Sequence, residues 1–280
     1  MTKGPVSSQD PLLEWGGVTG TATTTRPGRA RRGPGWVPNQ HGAWAMLASP
    51  LLVGVLAGGF AWVHLPLAAF WFAGYFAFFA TSLWLKARRR ATWFPPVRAY
   101  AALAAVLGGL VVAMEPALAR WAPLFLLPLA IGLYAAAHRQ ERALLAGLAT
   151  TAGSALMTVV AYDAGPGTDL TRAWELALVQ FLYFAGTVFY VKTVIRERDN
   201  MTFRWLSGGF HAVALVTVAL VFGVAGSTGV AWPLLVVFAL LLGRAILVPP
   251  YRPTPKQVGI GEIAATVAVA TTSLLAVTHI

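Results

Sequence analysis

From about residue 43 to its end, the chain is a succession of apolar stretches broken only by short polar segments. A helix needs about 20 apolar residues to cross the hydrocarbon of a bilayer. Backbone inside hydrocarbon must satisfy its own hydrogen bonds, so such stretches are helices. Nine can be counted, at about 43–60, 65–85, 98–115, 121–137, 143–162, 174–195, 206–226, 229–248 and 259–279. Several connections are too short to hold a domain. The expected fold class is therefore all-α, a polytopic transmembrane helical bundle over residues 36–280.

Composition agrees. Only 11% of the 280 residues are charged and 57% are hydrophobic, whereas soluble domains carry about a quarter charged residues. A water-soluble surface of this size cannot be built from so few ions. There is no cysteine, which excludes disulfides, a thiolate nucleophile and a Cys-based metal site. Residues 1–35 are rich in Gly, Pro, Ser, Thr and Arg without periodicity, and are expected to be a disordered basic cytoplasmic tail. Arg31-Arg32 is followed by Gly33-Pro-Gly-Trp36 and a segment too long for a cleavable signal, so it reads as an orientation signal.

The net charge of +11 would suggest nucleic acid in a soluble protein. Here no stretch is long enough for a groove-reading domain, so nucleic acid is not expected as a partner. The basic residues instead report topology. With the N-terminus inside and nine spans, of 21 Lys and Arg residues only Arg120 and Arg172 fall outside. This asymmetry predicts an N-in, C-out protein of the cell membrane. Many tryptophans lie near segment ends, among them Trp62, Trp84, Trp93, Trp121, Trp205 and Trp232, as interfacial anchoring requires.

Polar residues within spans are costly and so informative. In the sixth span, Gln180, Tyr183, Thr187 and Tyr190 form one helical stripe leading to Lys192 and Arg196. In the fifth, Thr151, Ser154, Thr158 and Tyr162 form another, beside Gly147, Ala149 and Gly153. Either stripe can be interhelical hydrogen bonding; the sixth-span stripe can equally line a cavity. At the start of the first span, Asn39, Gln40 and His41 cluster at the cytoplasmic edge. At the last, Lys256 and Gln257 precede Glu262, a carboxylate at a depth that demands a cation. Lys192, Arg196 and Lys256 are in the same layer and are its expected partners. The candidate ligand-binding set is Asn39, Gln40, His41, Lys192, Arg196, Glu197, Arg198, Lys256, Gln257 and Glu262. Cations outnumber carboxylates there, and Arg forks match phosphate. The expected ligand is an anion or an amphiphile with an anionic head, such as an anionic lipid or an isoprenoid phosphate. A small-anion transporter and an assembly partner of a membrane complex are the other readings.

Pro38-Asn-Gln-His-Gly-Ala-Trp-Ala-Met46, Val191-Lys-Thr-Val-Ile-Arg-Glu-Arg198 and Pro255-Lys-Gln-Val-Gly-Ile-Gly-Glu262 resemble the hallmark stretches of the YwiC-like family of bacterial membrane proteins. The resemblance runs from about residue 36 to the end and implies membrane location and a shared site, with no reaction attached. Nine helices and a cytoplasmic polar layer after spans two and six more loosely resemble UbiA-type intramembrane prenyltransferases. That resemblance implies Mg²⁺ and a prenyl diphosphate held by two Asp-rich motifs. At those places this sequence has Lys86-Ala-Arg-Arg-Arg90 and Lys192 to Arg198 instead, and it contains no NDxxD pattern. Mg²⁺ needs carboxylate oxygens, so no metal or other cofactor is expected.

Overall fold

A computed structural model describes residues 35–38, 41–224 and 231–278, with the backbone alone for His41, Gly223, Val224 and Thr278. Asn39, Gln40 and all of the expected tail except Gly35 lie outside the described residues. The described chain forms nine α-helices: α1 (His41–Gly58), α2 (His64–Lys86), α3 (Phe94–Met114), α4 (Ala122–Ala137), α5 (Leu144–Asp163), α6 (Leu170–Ile195), α7 (Met201–Val218), α8 (Trp232–Leu247) and α9 (Pro255–Thr278). Each corresponds in order to one expected span. Seven are long and apolar enough to cross a bilayer, α4 counted with the turn before it (Pro116–Ala137) and α7 with the turn after it (Met201–Phe222). The other two, α1 and α8, are apolar but shorter, at 18 and 16 residues. At 1.5 Å per residue they reach about 24–27 Å, close to the ~30 Å of hydrocarbon.

Helix ends follow local chemistry. Asp169 caps α6 by accepting from the Thr171 and Arg172 amides. Asn200 caps α7 by accepting from the Phe203 amide. At the start of α9, Thr254 and Gln257 make a reciprocal capping box with Pro255 at the first helical position. The Thr254 amide donates to Gln257 Oε1 at 2.8 Å, and the Gln257 amide donates to Thr254 Oγ1 at 3.3 Å.

The packing centre is α5 and α6, the most buried helices; α3 and α4 are the least buried and present their apolar surface outward. Two glycines, Gly54 and Gly58, set how closely α1 lies on α5. A Cβ at Gly54 would stand 2.4 Å from the Thr158 carbonyl, and one at Gly58 would stand 2.5 Å from the Tyr162 carbonyl. This is the Gly-x-x-x-Gly geometry by which apolar helices approach in a bilayer.

Bonds between connections define two ends of the bundle. At one end, the α2–α3 connection meets α4–α5 through a Lys86–Glu141 ion pair at 2.7 Å and an Arg139 Nη2 bond to the Lys86 carbonyl at 3.3 Å. There too, α6–α7 meets α8–α9, with Arg252 paired to Asp199 at 2.8 Å and Arg198 donating to the Pro253 carbonyl. At the other end, the Gly167 amide donates to the Gly58 carbonyl and Arg172 donates to the Val277 carbonyl. Asp163 there takes both Arg120 and the Trp121 indole.

Candidate functional site

The α6 stripe is bonded across helices on two sides. Gln180 is fully buried, and its Oε1 accepts from Ser49 of α1 at 2.9 Å. Tyr183 and Thr187 turn to α9. Thr187 Oγ1 donates to Glu262 at 2.8 Å, and Tyr183 Oη lies 3.2 Å from the same carboxylate oxygen and 2.8 Å from Thr266. In α5, Ser154 donates to the Met46 carbonyl of α1, while Thr151 bonds within its own helix. The α6 stripe therefore bonds across helices to α1 and α9, whereas in the α5 stripe Ser154 bonds across to α1 and the Thr158 hydroxyl is buried without a partner among the described residues.

Glu262 pairs with Arg244 of α8, rather than with Lys192, Arg196 or Lys256. Both side chains are mostly buried, at 17% and 15% exposure. The Arg244 guanidinium also lies 4.1 Å over the Tyr190 ring, an arrangement in which the ring's negative face offsets part of a desolvated charge. Only Nη1 of the fork reaches the carboxylate; Nε and Nη2 are buried and find no protein acceptor. Three helices, α6, α8 and α9, thus meet at one ion pair in the apolar bundle. The arginine that completes it was legible only as a basic residue at the end of the eighth span. Its pairing needs the rotation of α8 about its axis, which periodicity in so uniformly apolar a helix does not specify.

The remaining candidates lie nearer the loops. Lys192 is half-buried with its ammonium 5.0 Å over the Phe203 ring. Arg198 is occupied by two carbonyls, those of Val194 and Pro253. Glu197 accepts from Asn200 Nδ2 at 3.1 Å. Gln257 is the capping residue already described. Arg196 and Lys256 are exposed, and neither side chain forms a hydrogen bond or ion pair with any described residue. The α6–α7 connection surrounds an open hollow of about 730 Å³ lined by Arg196, Glu197, Arg198, Asp199 and Asn200. The structure thus gathers Arg196 to Arg198 at one hollow and separates Glu262 from them as part of a lock. His41 begins α1; Asn39 and Gln40 fall outside the described residues.

A second cavity, of about 540 Å³, lies among α1, α2, α3, α4 and α5 with walls that include Leu67, Trp71, Val111, Phe125 and Met157. Its Trp71 indole, Ser154 hydroxyl and Thr150 hydroxyl all donate to backbone carbonyls. Its walls are mostly apolar, although the hydroxyl of Tyr75, one of its lining residues, is buried without a partner among the described residues.

Helices of bilayer length, carbonyl-capping arginines at the loops and an ion pair buried among apolar helices define a polytopic helical membrane protein. Comparison with known proteins gives the family. The YwiC-like protein family matches residues 37–162, the segment that carries α1 to α5. An uncharacterized protein YwiC of Bacillus subtilis is 36% identical over 176 residues, covering 62% of this chain and 73% of that one. An uncharacterized protein of Haemophilus influenzae is 28% identical over 235 residues, covering 82% of this chain and 93% of that one. The chain belongs to the YwiC-like family. No solved structure matches it.

Proposed function

We propose that this membrane protein turns its basic end to the cytoplasm and there binds the anionic head of an amphiphile, an anionic lipid or an isoprenoid phosphate. The orientation rests on the excess of Lys and Arg at that end, which retains loops on the cytoplasmic side. The binding reading rests on one observation: charge is left over beside the α6–α7 hollow. Asp199 is paired with Arg252 and Glu262 with Arg244, and Glu197 keeps its charge while accepting from neutral Asn200; against it, Arg196 and Lys256 have no partner among the described residues and Arg198 meets only carbonyls. Lys256 stands three residues beyond Pro253, which holds Arg198 and so ties the two connections together. Arg196 at the hollow and Lys256 on the connection tied to it are two cations that suit a phosphate, which each can approach without first breaking an ion pair.

Thermal stability of the purified protein, titrated with farnesyl or geranylgeranyl phosphates and with phosphatidylglycerol, tests the reading. Stabilisation that disappears in Arg196→Ala and Lys256→Ala supports it. Prenyl-phosphate stabilisation that both variants retain in full, or no stabilisation by any of these ligands, overturns it. The Arg244–Glu262 pair favours a second reading for the last motif alone, in which Glu262 locks α9 to α8 and α6 and touches no ligand.

A further inference from the structure

The basic end has a second cluster, on the α2–α3 and α4–α5 connections, whose backbone is unusual. The described residues contain four non-glycine residues with positive φ, and all four are arginines: Arg88 at 54°, Arg89 at 59°, Arg139 at 58° and Arg252 at 49°. Three of them close helix ends in this cluster. The Arg88 amide donates to the Leu85 carbonyl and the Arg89 amide to the Trp84 carbonyl. The Arg139 amide donates to Ala136 and the Gln140 amide to Ala135. These are Schellman closures of α2 and α4, and the residue after the cap in such a closure is usually glycine because an L side chain is crowded there. Glycine does fill the positive-φ positions at 35 and 59.

Orientation does not explain arginine at these sites. It requires cations near the end of a span, and any loop position supplies one without backbone strain. The helix dipole does not require it either, since Lys86 already stands in the last turn of α2. The strained position must therefore serve where the side chain goes. The α2–α3 and α4–α5 connections are also clamped to each other by Lys86–Glu141 and by Arg139 on the Lys86 carbonyl. Around this clamp, the side chains of Arg88, Arg90, Arg98 and Arg142 form no hydrogen bond or ion pair with any described residue. Glu141 is the only carboxylate on these two connections, and Lys86 holds it.

The surroundings point to a lipid. The cluster sits at the ends of α3 and α4, the helices with the most outward-facing apolar surface. Trp84 packs on Phe94 at 5.3 Å, and Arg89 lies 5.9 Å over the Trp84 ring. Such aromatic groups sit at the level of lipid head groups. Basic pockets between membrane helices at that level take phosphate-bearing head groups.

We propose that the α2–α3 and α4–α5 connections form a preorganised seat for the phosphates of an anionic phospholipid. Arg88 and Arg90 on one connection and Arg142 on the other lie on two clamped loops, so a lipid with two phosphates engages both. The seat is independent of the α6–α7 hollow and stands or falls without it.

The test is a thermal-stability titration of the full chain in detergent with cardiolipin, phosphatidylglycerol and phosphatidylcholine. Cardiolipin is expected to raise the melting temperature most, phosphatidylglycerol less and phosphatidylcholine not at all. Arg88→Gly with Arg89→Gly removes two cations and relieves the backbone. This variant is expected to melt higher than the parent without lipid, yet lose at least half of the cardiolipin shift. Adding Arg90→Gln and Arg142→Gln should abolish the shift, whereas Arg196→Ala with Lys256→Ala should leave it intact. A cardiolipin shift as large in the four-site variant as in the parent overturns the proposal. So does an equal shift with phosphatidylcholine, or protection by poly-glutamate with none by cardiolipin.

Discussion

Replacing Glu262 by alanine removes the only carboxylate among the described residues that Arg244 touches. The guanidinium is then left with the Tyr190 ring, because its Nε and Nη2 already lack protein acceptors. Removing one partner of a buried ion pair costs about 3–5 kcal/mol, since the other charge stays desolvated. At 17% and 15% exposure the pair is not fully dry, which favours the lower end of that range. The Thr187 hydroxyl also loses its acceptor, at about 1 kcal/mol, while Tyr183 keeps Thr266. The expected loss is therefore about 4 kcal/mol. Glu262→Gln retains an acceptor for both hydroxyls and should fall between parent and alanine. Arg244→Met with Glu262→Leu removes both charges and should lie within about 1 kcal/mol of the parent. Reversible unfolding in mixed micelles of rising dodecyl sulfate content measures all four proteins, and the single variants Arg244→Met and Glu262→Leu close the double-mutant cycle. A loss below about 1 kcal/mol for Glu262→Ala, or a double variant no more stable than the single, would refute the account of this pair as a lock.

Other expectations follow from the same structure. Gly54→Ala drives a methyl group against the Thr158 carbonyl and should cost about 1–3 kcal/mol, whereas Gly74→Ala, with no atom within 4 Å of the new Cβ, should be neutral or stabilising by up to about 1 kcal/mol. The same micelle unfolding assay separates the two. Gln257→Ala should lower stability by about 1 kcal/mol through loss of the capping box and leave any head-group-induced thermal shift unchanged; loss of that shift would return Gln257 to the ligand site. The absence of native cysteine allows single-cysteine reporters. In intact cells, a membrane-impermeant maleimide should label Trp62→Cys from outside and reach Arg90→Cys only after lysis, and the reverse pattern would invert the proposed orientation.

Much of the fold was legible because membrane insertion is decided locally. An apolar stretch of sufficient length becomes a helix wherever its neighbours are, so all nine helices fall where hydropathy places them. The capping box of α9 and the Gly54–Gly58 spacing were equally open to local reading. Gln257 nevertheless looked like a ligand residue because it sits beside Lys256 and near Glu262, and proximity in sequence suggested proximity in role. The partner of Glu262 was not legible. Lys192, Arg196 and Lys256 share its layer, but a layer fixes only depth. Which cation reaches the carboxylate depends on how α6, α8 and α9 are turned about their axes, and Arg244 is the one that points inward.

The sequence by itself determined that this is a helical membrane protein, where each helix runs and which end carries the positive charge, because those follow from transfer of short segments between water and hydrocarbon. Tertiary structure decided what the polar residues are for. It assigned the Gln180 and Tyr183 stripe to helix–helix bonding, tied Glu262 to Arg244, and left Arg88, Arg90, Arg142, Arg196 and Lys256 with charge that no described residue neutralises. Those distinctions depend on directions and distances between side chains far apart in the chain, which only the packed bundle specifies.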